Sequence, residues 1–112
     1  MTTGRRTFKL VSFATSSSDE TTVIPVTEGG ASGSFSVYAR KVSGAGSATL
    51  AVDGTFKSSP TANDRIAVQA ATSVGTGALT SILAIENNKF PYLALVLDRT
   101  GEIAVDVFVT VF

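Results

Sequence analysis

At 112 residues the chain is long enough for one domain that buries roughly two thirds of the surface its unfolded form exposes. It has no Cys and no His, which removes disulfides, thiolate nucleophiles, imidazole bases and the usual zinc and copper ligands together. Nine basic residues balance nine acidic ones, so no long-range field gathers nucleic acid, and a charged fraction of 16% is low for a small free-standing domain.

Residues 1–6 read as a flexible N-terminal arm carrying Arg5 and Arg6, which can pair with acidic groups of a neighbouring subunit. The stretch "FKLVSFA" that follows contains Lys9 and falls short of a signal-peptide core, so no secretion signal is expected. Nowhere does an apolar run reach the ~18 residues of a membrane-spanning helix. "TFKLVSFAT" and "TTVIPVT" read as strands, and Pro25, which cannot donate to a ladder, places the second at a sheet edge or a bulge. The Ser- and Gly-rich "TSSSDE" and "EGGASGS" read as long loops.

In "GSFSVYARKV", Phe35, Val37 and Ala39 alternate with Ser34, Ser36, Tyr38 and Arg40, the pattern of a half-buried antiparallel strand. After "SGAGS", Ala48, Leu50 and Val52 alternate with Thr49, Ala51 and Asp53, and the two strands are expected to form a hairpin. Asp53-Gly54 has type I′ turn chemistry and predicts a turn into a short strand at "TFK", ended by "SSPTAND". "RIAVQAA" and "LTSILAI" read as further strands; in the second, Leu79, Leu83 and Ile85 fit alternation, although Leu79, Ile82, Leu83 and Glu86 also fit a helical spacing.

The chain ends on "FPYLALVLDRTGEIAVDVFVTVF", read as a terminal hairpin with two available registers. A two-residue loop at Thr100-Gly101 mixes leucines with Asp106 on one face. A type I turn at Arg99-Thr100, with Gly101 left-handed as a bulge, instead gathers Leu93, Leu95, Leu97, Ile103, Val105, Val107, Val109 and Val111 on one face. That segregation favours the bulged register, although Asp98 then faces Glu102. The other face carries Tyr92, Ala94, Val96, Asp98, Ala104, Asp106, Phe108, Thr110 and Phe112. It is either an aromatic patch beneath a loop or a contact surface for another subunit, which makes Tyr92, Val96, Phe108 and Phe112, with Arg5 and Arg6, the interface candidates.

No motif carries catalysis. Gly44-Ala45-Gly46 and Gly75-Thr76-Gly77 lack the third glycine and the strand-to-helix setting of a phosphate loop, and read as turn glycines. The acids Asp19, Glu20, Asp53, Asp64, Asp98 and Glu102 have no calcium-loop spacing, Asp106 has no acid partner for glycoside hydrolysis, and the serines have neither a His base nor a Ser-x-x-Lys motif. No cofactor is expected and the chain is not read as an enzyme. With no Trp, a sugar platform would have to use Tyr38, Tyr92 or the phenylalanines.

Several short strands separated by turn clusters define an all-β chain: a single antiparallel β-sandwich of about eight strands over residues 1–112, either jelly-roll or immunoglobulin-like. The layout "FSVYARKVSGAGSATLAVDGT", then a loop-rich middle, then "FPYLALVLDRTGEIAVDVFVTVF", resembles the small decoration, cement or staple proteins on the capsids of tailed bacteriophages. The resemblance implies a jelly-roll or immunoglobulin-like sandwich with no cofactor and no catalysis. It further implies a homodimer or homotrimer that clamps the major capsid protein on the virion exterior after folding in the bacterial host cytoplasm, with neither nucleic acid nor membrane as partner. A phage tail or receptor-binding module is the nearest alternative, and a carbohydrate-binding or adhesin sandwich is the alternative from another class.

Overall fold

The computed structural model describes residues 7–26, 34–75, 79–85 and 90–111. Residues 1–6, and with them the expected N-terminal arm, lie outside the described residues, as do "EGGASGS" up to Gly33 and the candidate Phe112. Eight strands follow one another: β1 Thr7–Ser16, β2 Glu20–Pro25, β3 Phe35–Ser43, β4 Ser47–Thr55, β5 Arg65–Ser73, β6 Thr80–Ile85, β7 Tyr92–Thr100 and β8 Ile103–Val111. They form two antiparallel four-stranded sheets, in the orders β1-β8-β3-β6 and β2-β7-β4-β5. We call these sheet A and sheet B. Among consecutive strands only β4 and β5 pair; every other connection between described strands passes from one sheet to the other. Eight strands wound in this order are a jelly roll, which decides between the two expected sandwich topologies.

The period-two pattern fixes which face of each strand turns inward. Leu93, Leu95 and Leu97 of β7 are fully buried, and so are Ile103, Val105, Val107, Val109 and Val111 of β8 to within 2%. Phe35, Val37 and Ala39 of β3 and Leu50 and Val52 of β4 complete the core between the sheets. All eight odd-numbered residues read as one buried face are buried. They do not, however, form a hairpin. β7 pairs with β2 and β4 in sheet B, and β8 with β1 and β3 in sheet A, so the two strands face each other across the core. Stacked sheets lie roughly 10 Å apart, and the three Cα steps from Thr100 to Ile103 span about that distance, so a two-residue link suffices to cross.

The expected β3–β4 hairpin is corrected in the same way, since these strands also lie in opposite sheets. Gly44, at φ +100°, turns the chain between them. Asp53-Gly54 makes no turn: β4 runs through it to Thr55, and the predicted strand at "TFK" is absorbed into the end of β4 and the loop after it. The reason is packing. Gly54 follows Leu50 and Val52 on the inner side of β4, and a Cβ there would collide with the Phe90 ring. Asp53 meanwhile lies 3.8 Å from Arg65 across the β4–β5 ladder.

Pro25 stands at the end of β2, an edge strand of sheet B, where its missing N–H costs no ladder bond. β6 is a strand, as its alternation indicates, with one irregularity: Val37 pairs with Leu83 and Tyr38 with Ser81, which leaves Ile82 as an extra residue. Ile82 is buried, and Leu79, expected on the apolar face, is 53% exposed.

The loop after β4 closes with a 3-10 turn, Ala62–Asp64. The Thr61 backbone N–H and hydroxyl both donate to the Asp64 carboxylate, at 2.9 and 3.0 Å, and Lys57 lies 3.2 Å away. These contacts, the backbone N–H first, hold the Asp64 carboxyl below its ordinary value of 3.8. Because the folded value is the lower one, the stabilisation is complete above the ordinary Asp range and is lost as pH falls through the lowered value. Asp64→Asn therefore lowers the melting temperature at neutral pH, and in a thermal melt series the gap from the native chain narrows as pH falls below the ordinary Asp range.

Candidate functional site

The even-numbered face read from the sequence as one surface is divided by the jelly roll between the two outsides of the sandwich. Tyr92, Ala94, Val96 and Asp98 alternate with the buried leucines and turn to the outer side of sheet B, whereas Ala104, Asp106, Phe108 and Thr110 turn to the outer side of sheet A. Tyr92 and Phe108 thus lie on opposite sides, and the Asp98–Glu102 opposition of the hairpin register does not arise. On sheet B, Tyr92 and Val96 are half-buried and Ala94 is covered by its cross-strand neighbours Val23 and Asp53. Arg5 and Arg6 lie outside the described residues.

Phe108 keeps an aromatic neighbourhood, but from other strands. The register places Leu10, Phe108 and Tyr38 in one row across β1, β8 and β3, with Phe8, Thr110 and Ser36 in the next row. Phe8 stacks on Phe108 at 6.1 Å between ring centroids and 25° between planes. Phe8 is 59% exposed, Leu10 51% and Tyr38 39%, so this is an apolar patch open to solvent. In the row on the other side, Ser12, Asp106 and Arg40 lie across the same three strands, and the Arg40 guanidinium sits over the Phe108 ring at 5.8 Å. The sequence carried a signal for this patch. β1 is apolar on both faces, with Val11 and Phe13 turned to the core and Phe8 and Leu10 away from it, and a strand of that kind is covered on both sides or exposes one.

A second apolar cluster lies where β4 leaves its sheet. Phe56, 67% exposed, meets Phe90 at 5.5 Å, and Ile66, 58% exposed, is paired with Gly54. The Lys57–Asp64 and Arg65–Asp53 ion pairs join residues next in sequence to Phe56 and Ile66. Polar rims around exposed apolar residues are the anatomy of a protein contact surface.

At the opposite end of the sandwich, the one fully buried guanidinium among the described residues joins the sheets. Arg99, in β7, donates from Nη1 to the carbonyls of Ala14 at 2.7 Å, Ser16 at 2.9 Å and Ile103 at 3.0 Å. Its Nη2 pairs with Glu20 at 2.8 Å, its backbone N–H donates to Asp19 at 2.9 Å, and the Phe13 ring lies 6.0 Å from Cζ. The sequence pattern placed Arg99 in a type I turn with Thr100. Its long-range partners, some eighty residues away, had no local signal.

A shallow open depression of about 170 Å³ between the ends of β4, β5 and β7 presents the hydroxyls of Ser47, Thr49, Ser73 and Thr100 and the Asp98 carboxylate. Among the described residues no cluster of three or more acids forms a metal site, and no helix is long and apolar enough to cross a membrane.

No protein-family model matches the sequence, and no curated protein matches it. Among solved structures the chain is similar to one titled "Structure of infectious bursal disease virus Gt strain", with 15% identity and a TM-score of 0.34 over 93% of this chain and 33% of that one. The chain therefore spans about a third of the length of that neighbour. Among the described residues the fold and surface together define an eight-stranded jelly-roll sandwich with two separate exposed apolar clusters.

Proposed function

We propose that the chain is a non-enzymatic virion structural protein that binds and stabilises the outside of a bacteriophage capsid, with the major capsid protein and further copies of itself as partners. The observation that carries this reading is the pairing of a tightly packed core with two apolar surface clusters, Phe8/Leu10/Tyr38/Phe108 on sheet A and Phe56/Ile66 beside sheet B. A domain with two such surfaces on different sides can join two neighbours at once, and repeated weak contacts on a lattice multiply through avidity. The absence of His and Cys from the sequence, and a net charge of zero, fit a contact protein better than a catalyst or a polyanion binder.

A carbohydrate-binding or adhesin role draws on the aromatic residues of sheet A, but one face of Phe108 is taken by Arg40 and Phe8 stacks on the same ring, which leaves little open ring for a sugar. Saturable binding to one glycan on an array would favour that role, or that of a tail receptor-binding module, over the capsid.

The test is stoichiometric co-purification with phage heads. Phe56→Asp combined with Ile66→Asp, both at exposed positions, is expected to leave the circular dichroism spectrum and melting cooperativity intact while lowering head occupancy at least about tenfold. Native occupancy by the folded variant rules out this cluster as the capsid contact, and a native chain that never accompanies heads overturns the capsid reading itself.

A further inference from the structure

We propose that the outer face of sheet A is the contact surface between two copies of this chain, packed face to face about a two-fold axis that runs parallel to the strands between β8 and β3. This face holds a charge left without its mate. Asp106 and Arg40 lie directly opposite each other on neighbouring strands, yet they form no ion pair. Among the described residues no hydrogen bond or ion pair reaches the half-buried Asp106 carboxylate, and the Arg40 guanidinium rests over Phe108 instead. A carboxylate and a guanidinium side by side on a face of otherwise apolar and hydroxyl groups specify a partner with the reversed pair.

A second copy supplies that pair. The proposed axis exchanges β8 and β3 between copies while keeping each row at its own height along the strands. Asp106 then meets Arg40 of the second copy, and Arg40 meets its Asp106, so the dimer holds two ion pairs and each charge has one partner. The next row sets Phe108 opposite Tyr38 of the mate and Tyr38 opposite its Phe108, and the row after that joins Thr110 to Ser36. Packed sheets sit roughly 10 Å apart with strands nearly aligned, a gap that an extended Arg side chain bridges and two aromatic side chains fill. A net charge of zero removes the long-range repulsion that opposes association of identical chains. Self-association of this kind rests on the homo-oligomeric half of the function proposed above and needs no capsid.

Sedimentation velocity of the full chain, without particles, tests it across the micromolar range. The native chain is expected to be a dimer. Arg40→Asp puts two carboxylates over each other at both contacts, and Asp106→Arg puts two guanidinium groups there; each is expected to raise the dissociation constant at least about tenfold. An equimolar mixture of the two variants restores both contacts in a heterodimer, which an effect confined within one chain cannot produce. A monomeric native chain, single variants that associate as the native chain does, or a mixture that stays monomeric each overturns the proposal. Should either charge reversal fail to fold by circular dichroism, the exposed Tyr38→Ser takes its place: a rise of about tenfold supports the face-to-face contact and an unchanged constant overturns it. Head occupancy is measured separately. A dimer that stays off phage heads overturns the capsid reading and leaves this one standing, whereas a monomer that binds heads does the reverse.

Discussion

Replacing Arg99 with Met is expected to lower the unfolding free energy by about 3–5 kcal/mol, read as a fall in the urea midpoint at unchanged slope. Methionine preserves much of the buried volume, so the effect isolates hydrogen bonding. Three carbonyls, those of Ala14, Ser16 and Ile103, lose the donor they share. Two of them belong to β1 and one to β8, so the guanidinium fastens both strands of sheet A to β7 of sheet B, at the end where the chain crosses between the sheets. The buried Ile103 carbonyl costs about 1–3 kcal/mol when left without a partner, and the part-buried Ala14 and Ser16 carbonyls cost less because water reaches them. Glu20 contributes less, because its side chain is 42% exposed and recovers solvent when the pair is broken; Glu20→Gln is expected to cost about 1 kcal/mol or less. Arg99→Lys falls between the two, since an ammonium can serve some of the carbonyls but cannot reach carbonyls and carboxylate with one planar fork. A small domain has only about 5–15 kcal/mol in total, so the Met variant should melt well below the native chain and populate open forms at growth temperature.

That Arg99 was not legible in advance, while its strand was, shows which part of this fold is local. The inward parity of β7 and β8 depends only on alternation, and the same eight residues are buried whether the strands pair with each other or face each other across a core. Strand partnership is a different kind of information. In a jelly roll β7 lies between β2 and β4, and β8 between β1 and β3, and the residues that decide this lie up to a hundred positions away. The short "DRTGE" connection suits a hairpin and a crossing equally well, and Gly101 has its positive φ of 78° in the crossing too. Asp53-Gly54 shows the same limit from another side: strong local turn chemistry is overridden because the missing side chain of Gly54 makes room for Phe90.

The candidate surface follows from that division. Phe108 was identifiable as an outward aromatic from parity alone, but its neighbours were assigned through a hairpin that does not form, which gave it Tyr92 in place of Phe8, Leu10 and Tyr38. Outward parity survives a wrong partner; adjacency does not. The apolar character of both faces of β1 carried the missing information, and it names the strand that lies next to β8.

The crossing itself supplies the second large effect: Gly46→Ala is expected to destabilise the domain by about 2–3 kcal/mol. Two connections meet here, Gly44–Gly46 between β3 and β4 and Gly101–Glu102 between β7 and β8, and they touch through backbone. A Cβ on Gly46 would lie 2.6 Å from the Gly101 carbonyl carbon and the Thr100 carbonyl oxygen, neither of which can swing aside as a side-chain tip would. Relieving the collision by moving the loop breaks the 2.8 Å hydrogen bond from the Gly46 N–H to the Glu102 carbonyl. Gly101→Ala is the informative comparison. Its Cβ would lie 3.2 Å from the Gly46 Cα, a tight contact, so its cost is mainly that of placing an L side chain at φ +78°, about 1–2 kcal/mol. Ala45 sits between the two loop glycines but is exposed, and Ala45→Ser should change stability by less than about 0.5 kcal/mol. A urea series in which Gly46→Ala costs no more than Ala45→Ser would mean that the loops do not meet as described. With the expected order, Gly46 above Gly101 above Ala45, the contact between the connections, more than their turn geometry, holds the two sheets in register at this end.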